Sequence, residues 1–247
     1  GLAYVIHELL EAGLLHRDVQ TVLGSGLDRY ACSPDMNESG IEWKTPVEKS
    51  GDRSILRGVT DPFDVEGGIQ LVEGNVGRAI VKVSAVEKQY RSITAPAKVF
   101  TSQDDVVAAF DAGELTEDAV IVLRGQGPAA NGMPELHKLT PFLGVMQNKG
   151  LKVALLTDGR MSGASGKILA AIHVSPEAFR SGAIAQIRDG DVITIDAERG
   201  ILNVEAELDD RQAADLSPLN SVQGMGRELF ANFRRTVSTA EAGASFF

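Results

Sequence analysis

Two short apolar runs, AVIVL (119–123) and VALL (153–156), each lead straight into a polar loop dense in glycine, LRGQGPAANGMPELHKL (123–139) and LTDGRMSGASGK (156–167). An uninterrupted apolar run of this length reads as a buried strand. A buried strand that opens into a glycine-rich turn is where α/β folds place anions or nucleophiles. The two loops follow consecutive strand units and are expected to meet at one end of a sheet.

The flanking segments fix the fold class. Leu2, Val5, Ile6, Leu9 and Leu10 recur at helical spacing over residues 1–15, a helix closed near Gly13. Residues 16–60 are polar and rich in turn signals. From Pro62 the texture changes: GGIQLVEGNVGRAIVKVSAV (67–86) reads as short strands joined by tight turns, and AKVF (97–100) as another strand. SQDDVVAAFDAGEL (102–115) has a Ser cap, early acids and apolar residues at helical spacing. PELHKLTPFLGVMQNKG (134–150) is expected to be mostly helical with a break or kink at Pro141. SPEAFRSGAIAQI (175–187) is expected to start a helix with proline in its first turn. DVITIDAERGILNVEA (191–206) alternates on both sides of AERG and predicts a hairpin, and GRELFANFRRTVSTAEAGA (226–244) reads as a helical tail. Hairpins and strand–helix–strand connections together indicate an α/β fold with a mixed barrel or sandwich rather than a plain doubly wound sheet.

Composition removes several function classes. The 24 basic and 34 acidic residues leave a net charge of −10, which repels nucleic-acid backbones. No apolar run approaches the roughly 20 residues that span a bilayer, and the acidic, helical start is not a signal sequence. Cys32 is the only cysteine, so the chain has neither a disulfide framework nor a set of cluster ligands. Its place in RYACSP reads as a half-buried structural thiol. A soluble, reducing, cytoplasmic setting is the expectation. The chain opens without Met on an uncapped amphipathic helix, which suggests a piece of a longer protein.

The second loop fails the common anion motifs. A phosphate loop needs glycine where Met161 stands and Ser or Thr where Ile168 stands. Gly163 and Gly166 lack the leading Gly-x-Gly of a dinucleotide fingerprint, and Ser162 lacks the glycine two residues before it that a nucleophile elbow requires. Thr157, Asp158, Arg160, Ser162, Ser165 and Lys167 are nonetheless more polar groups than a strand-to-helix turn requires. In the first loop Glu135 falls near a helix start, where it either serves the helix dipole or acts as ligand or acid/base. His137 and Lys138 read as solvated helix residues that could meet an anion. His173 reads as a structural hydrogen-bonder, with partnership to Ser162 as the alternative. A Ser and a Glu ringed by Arg124, Arg160 and Lys167 suit a carboxylate-bearing or phosphorylated substrate.

NGMPELHKL (131–139), LTDGRMSGASGK (156–167) and AIHVSPEA (171–178), in this order, resemble the dihydroxy-acid and 6-phosphogluconate dehydratase family. AYVIHELLEAGLLHRDV (3–19), GGIQLVEGNVGRA (67–79) and GRELF (226–230) are similar to its 6-phosphogluconate branch, so the likeness covers nearly the whole chain. The resemblance implies removal of water across C2 and C3 of a sugar acid, the enol then becoming a 2-keto-3-deoxy acid. For 6-phosphogluconate this is the Entner–Doudoroff step to 2-keto-3-deoxy-6-phosphogluconate. It implies an iron–sulfur cluster as Lewis acid on the C3 hydroxyl, Ser162 as the base at C2, and Glu135 as a magnesium ligand where relatives use that ion. Arg124, Lys138, Asp158, Arg160, Gly163 and Lys167 are the expected substrate contacts. It also implies a homodimer. The cluster cysteines of the family lie in an N-terminal half that this chain does not contain. Residues 1–60 then finish the N-terminal domain, and residues 61–247 form the family's swivelling β/β/α barrel domain with a C-terminal helix. A dihydroxy-acid or non-phosphorylated sugar-acid dehydratase is the near alternative; a non-catalytic anion-binding or assembly module is the alternative of another class.

Overall fold

The apolar stripe of LAYVIHELLE folds as helix α1 (Leu2–Glu11), which buries Tyr4 and Leu10. The chain then makes two hairpins from the turn-rich stretch, β1 (Gln20–Thr21) with β2 (Gly24–Ser25) and β3 (Ser33–Asn37) with β4 (Gly40–Lys44). Glu8 ties α1 to the end of this region by accepting a 3.0 Å bond from the Val59 amide. These elements belong to the first of two compact units, 1–66 and 67–247. The structure is a computed structural model that describes residues 1–162, 167–216, 224 and 226–247.

The second unit is built on β5 (Ile69–Gly74), β6 (Gly77–Lys82), β7 (Ser92–Phe100), helix α2 (Gln103–Asp111), β8 (Ala119–Leu123), the single turn α3 (Pro128–Asn131), α4 (Leu139–Asn148), β9 (Val153–Thr157), β10 (Leu169–Ser175), β11 (Val192–Asp196), β12 (Ile201–Val204) and α5 (Arg227–Thr236). Its eight strands close into a mixed barrel in the order β10-β6-β5-β12-β11-β7-β8-β9. Four neighbours, β7, β8, β9 and β10, run parallel, so their carboxyl ends open on one rim. Closure removes exposed sheet edges.

Side-chain alternation sorts the core into two layers. Val120 and Val122 of β8, Ala154 and Leu156 of β9, and Leu169 and Ala171 of β10 fill the barrel with Val81, Ile93, Ile193 and Leu202. The intervening Ile121, Leu123, Val153, Leu155 and Ile172 face outward against Val106 of α2 and Leu139, Leu143 and Met146 of α4. Strands covered on both faces must be apolar at every position, which is why AVIVL and VALL show no alternation. Next to β8, the strand β7 alternates between exposed and buried residues from Ser92 to Lys98, as expected where only one face is covered.

Four local expectations change. The strand at AKVF begins five residues earlier, at Ser92, because the alternating SITAPA pairs with β11. Helix α4 starts at Leu139 rather than near Glu135, and Pro141 sits in its first turn, where a missing N–H costs no intrahelical bond. SPEAFRSGAIAQI forms two 3-10 turns, Ala178–Arg180 and Ala183–Gln186, rather than an α-helix. A Cβ on Gly182 would lie 1.9 Å from the Pro176 carbonyl oxygen, a backbone approach that breaks the helix between the turns. After β9 the next described element is not the helix that a strand-to-helix turn implies but the strand β10, which closes the barrel.

Helix α2 follows its predicted start. The Ser102 hydroxyl accepts a 3.1 Å bond from the Asp105 amide, and Asp104 and Asp105 occupy the first turn. Ser102→Ala is expected to cost about 1 kcal/mol and to lower the midpoint of thermal unfolding by about 2–4 °C. Circular dichroism melts would read this directly, and an unchanged midpoint would remove the cap from the helix's stability. Among the described residues no helix is long and apolar enough to cross a membrane.

Candidate functional site

The carboxyl ends of β8, β9 and β10 bring three loops together. One residue beyond β9, Asp158 turns inward and is 0% exposed. Its Oδ2 accepts from the Gly125 amide at 3.1 Å and the Ala178 amide at 2.9 Å, and its Oδ1 from the Gln126 amide at 2.8 Å. Burial raises its pKa to about 6, with the neighbouring Glu177 adding to the rise and the three amides opposing it. Two residues beyond β10, Glu177 is 4% exposed and accepts from the Ala129 amide at 3.0 Å and the Ala130 amide at 3.1 Å. The first loop fits only because it lacks side chains: a Cβ on Gly127 would stand 2.3 Å from Glu177 Oε2. Residues 125–130 are all buried.

At the rim the loops cross again with the roles exchanged. Glu135 of the first loop accepts a 2.6 Å bond on Oε1 from the Ser162 amide. Its Oε2 pairs with the Arg160 guanidinium at 3.3 Å, and Arg160 Nε donates to the Met133 carbonyl at 2.8 Å. The backbones of Glu135 and Arg160 meet as a parallel bridge. Lys82, at the end of β6, donates to the Met161 carbonyl at 3.0 Å and so sets an ammonium beside the peptide that precedes Ser162. Ser162 is exposed and opens on a recess of about 10 Å3 shared with Lys82, Met161, Ile168, Ala170 and Ile172.

His173 sits where the pairing of β10 with β6 slips between Ile172 and Ser175, with φ 58°. Its amide donates to the Gly159 carbonyl at 2.9 Å. Burial, then the charges of Lys82 and Arg160, lower its pKa, so the imidazole is held neutral beside a cationic rim. It also lines a cavity of about 330 Å3 with Arg78 and Glu241.

The residues singled out from the sequence thus fall into two groups. Ser162, Glu135, Arg160 and Asp158 lie in the two crossed loops. Arg124 is aimed elsewhere: its Nη1 donates to the carbonyls of Ala185 and Ile187 at 3.1 and 2.8 Å. Burial lowers its pKa against the pull of Asp189 and Asp158. Lys138 pairs with Asp104 of α2 at 3.0 Å. Lys167 is exposed, and Gly163 and Ser165 lie outside the described residues. Lys82 and Glu177 carry no signal in the sequence itself, since Lys82 reaches the site from a strand 79 residues away from its bonding partner Met161.

Among the described residues no three of His, Cys, Asp and Glu gather as a metal site. Cys32 is a free, half-buried thiol near the Asp28 carbonyl, and one thiol does not hold an iron–sulfur cluster. Each Glu135 oxygen accepts from one donor of the chain, which leaves a second lone pair on each for a hard cation.

Residues 54–244 match the family model described as dihydroxy-acid/6-phosphogluconate dehydratase C-terminal. A phosphogluconate dehydratase of Pseudomonas aeruginosa is 52% identical over the whole chain, which covers 41% of that protein. One from Escherichia coli K12 is 50% identical over 99% of the chain and 41% of its own length. Dihydroxy-acid dehydratase 3 of Aromatoleum aromaticum is 36% identical over 99% of the chain and 41% of its own length. The chain therefore spans about two fifths of the length of these curated relatives. With a matching model over most of its residues, the chain belongs to the dihydroxy-acid/6-phosphogluconate dehydratase family.

Proposed function

We propose that this chain is the C-terminal part of a hydro-lyase that converts 6-phosphogluconate to 2-keto-3-deoxy-6-phosphogluconate in the Entner–Doudoroff pathway. The observation that carries the reading is the 52% identity, over every residue, to a protein named phosphogluconate dehydratase, against 36% to one named dihydroxy-acid dehydratase. Residues 1–60 then complete an N-terminal domain and 61–247 form the swivelling domain of a cytoplasmic homodimer.

In this reading Ser162 takes the C2 proton while the hydroxyl leaves C3, and the enol so formed picks up a proton at C3 to give the ketone. A serine hydroxyl is too weak an acid to act as a base unless its surroundings favour the alkoxide. Support comes from Lys82, whose ammonium stands beside the Met161–Ser162 peptide, and from the cationic rim that also holds His173 neutral. The family's iron–sulfur cluster, a Lewis acid for the C3 hydroxyl, finds no ligand set in this chain and is assigned to the rest of the protein. The recess beside Ser162, about 10 Å3 in volume, has room for about one water. A sugar acid needs walls from outside the unit, so the chain alone is expected to be inactive. Arg160, Lys167 and Lys138 remain the proposed contacts for the substrate's anionic groups.

The test compares the full-length protein on 6-phosphogluconate, gluconate and a 2,3-dihydroxy carboxylic acid, with keto-acid formation as the readout. The expected result is kcat/KM at least 100-fold higher for 6-phosphogluconate, about 2.7 kcal/mol of transition-state discrimination. Equal or better turnover of either other acid would reassign the substrate. No turnover of any, with tight binding of 6-phosphogluconate by this chain alone, would make it a binding module.

A further inference from the structure

The glycine-rich loop after β8 has the composition of an anion cradle, yet its amides are already taken. Gly125, Gln126, Ala129 and Ala130 all point inward, and every one of them donates to a carboxylate of the chain itself. Asp158, from the loop after β9, holds the first two and also the Ala178 amide. Glu177, from the loop after β10, holds the other two and is approached by Arg180 Nε at 3.6 Å. Backbone amides converging on a carboxylate make charge-assisted bonds, about twice the strength of neutral ones.

We propose that Asp158 and Glu177 are positioning residues that set the placement of Ser162 by clamping the three loops together, and that neither touches substrate. The path is short. Asp158 fixes the base of both crossing loops, four residues before Ser162. The first loop then returns the hold at the rim, where Glu135 binds the Ser162 amide at 2.6 Å and the Leu136 amide donates to the Arg160 carbonyl at 3.2 Å. Glu177 keeps the far end of the first loop from sliding, and the close fit at Gly127 leaves no slack. Gln126 carries the hold further: its side chain donates to the Thr101 carbonyl at 2.7 Å and accepts from Asn131 at 3.1 Å. Loosening the base of such a clasp misplaces a reacting oxygen without removing any group from the site, and a misplacement of about 1 Å costs about 100-fold in rate.

The proposal carries a pH signature. The charged groups facing Asp158 are Glu177 and Arg124, and burial has already raised its pKa to about 6. Exposed to water the same carboxyl would titrate at its ordinary value of 3.8, so the clamped, buried form binds the proton more tightly than an opened one. Linkage therefore favours the clamp as pH falls through about 6, and opening is easiest above that pH, where the buried carboxyl is charged.

Two measurements test this, the first resting on the proposed dehydratase activity and the second independent of it. In the full-length protein, Asp158→Asn is expected to lower kcat for 6-phosphogluconate about 100-fold and to leave KM within about threefold. Glu177→Gln should likewise lower kcat with KM within about threefold. A KM rise above tenfold with kcat retained would make Asp158 a substrate contact and overturn the proposal. In the wild-type chain, hydrogen exchange corrected for intrinsic rates should show the Gly125, Gln126 and Ala178 amides gaining protection about tenfold between pH 7.5 and 5, while Ala129 and Ala130 keep theirs. Unchanged protection at all five would overturn the clamp whether or not the protein dehydrates anything or the variants fold.

Discussion

Ser162→Ala in the full-length protein is expected to lower kcat for 6-phosphogluconate by about 1,000-fold or more, at the upper part of the range for loss of a general base, with KM changed by less than about threefold. The C2 proton sits beside a carboxylate, a poor acid, so turnover depends on a base within hydrogen-bond reach in the transition state. The backbone places the Ser162 hydroxyl firmly: its own amide is bonded to Glu135, and the preceding carbonyl to Lys82. Ser162 is exposed on a shallow recess, so loss of one oxygen there should leave unfolding free energy within about 0.5 kcal/mol. Lost turnover in a variant with a normal melt therefore reports chemistry. A variant retaining a tenth or more of wild-type kcat would remove Ser162 from the base role and move attention to the neutral His173.

The clamp beneath Ser162 explains why the loop chemistry was only half legible in the sequence. LTDGRMSG and NGMPE announce a site through residue types, and the crossing of Glu135 with Arg160 and Ser162 agrees with two loops meeting at one rim. Asp158, however, looks in sequence like one more polar loop residue. Only the fold shows that it points away from solvent onto amides 32 and 33 residues away. Arg124 shows the same limit, since its neighbours suggest an anion while its guanidinium serves two carbonyls of a later segment.

For the fold, elements determined by local pattern were readable and those determined by closure were not. AVIVL and VALL are apolar at every position because helices cover their outer faces, and that signal survives in the sequence. The β11–β12 hairpin alternates because one face meets water. Strand β10 carries a seven-residue run, LAAIHVS, that fits a buried strand or part of a buried helix equally well by periodicity. Its identity comes from pairing with β6 across about 90 residues and with β9 in parallel.

That closure supplies the last test. The tip of the β5–β6 hairpin is wedged between β12 and β10. Gly74 approaches the Leu202 carbonyl so closely that a Cβ would stand 2.1 Å from its oxygen. On the other side Gly77, at φ +116°, would put a Cβ 2.4 Å from the Ser175 carbonyl oxygen. Between them Asn75 substitutes for missing ladder bonds, its Nδ2 donating to the Val204 carbonyl and its Oδ1 accepting from the Val204 amide, both at 2.8 Å. The β5–β12 seam has a single registered pair, Glu73 with Ile201, supplemented by the Glu73 amide on the Gly200 carbonyl at 3.0 Å and the Asn75 amide on Asn203 Oδ1 at 3.1 Å, so closure there depends on a few bonds around the wedge. Gly77→Ala combines a strained backbone with a clash against backbone that cannot rotate away, and is expected to cost about 3 kcal/mol or more. Gly113→Ala is the control, since Gly113 has φ +75° but open space around its Cβ position and should cost only about 1 kcal/mol for the left-handed conformation. Urea unfolding of the chain measures both. If the two variants lose equal stability, the cost is backbone conformation alone and the wedge contributes nothing to closing the barrel.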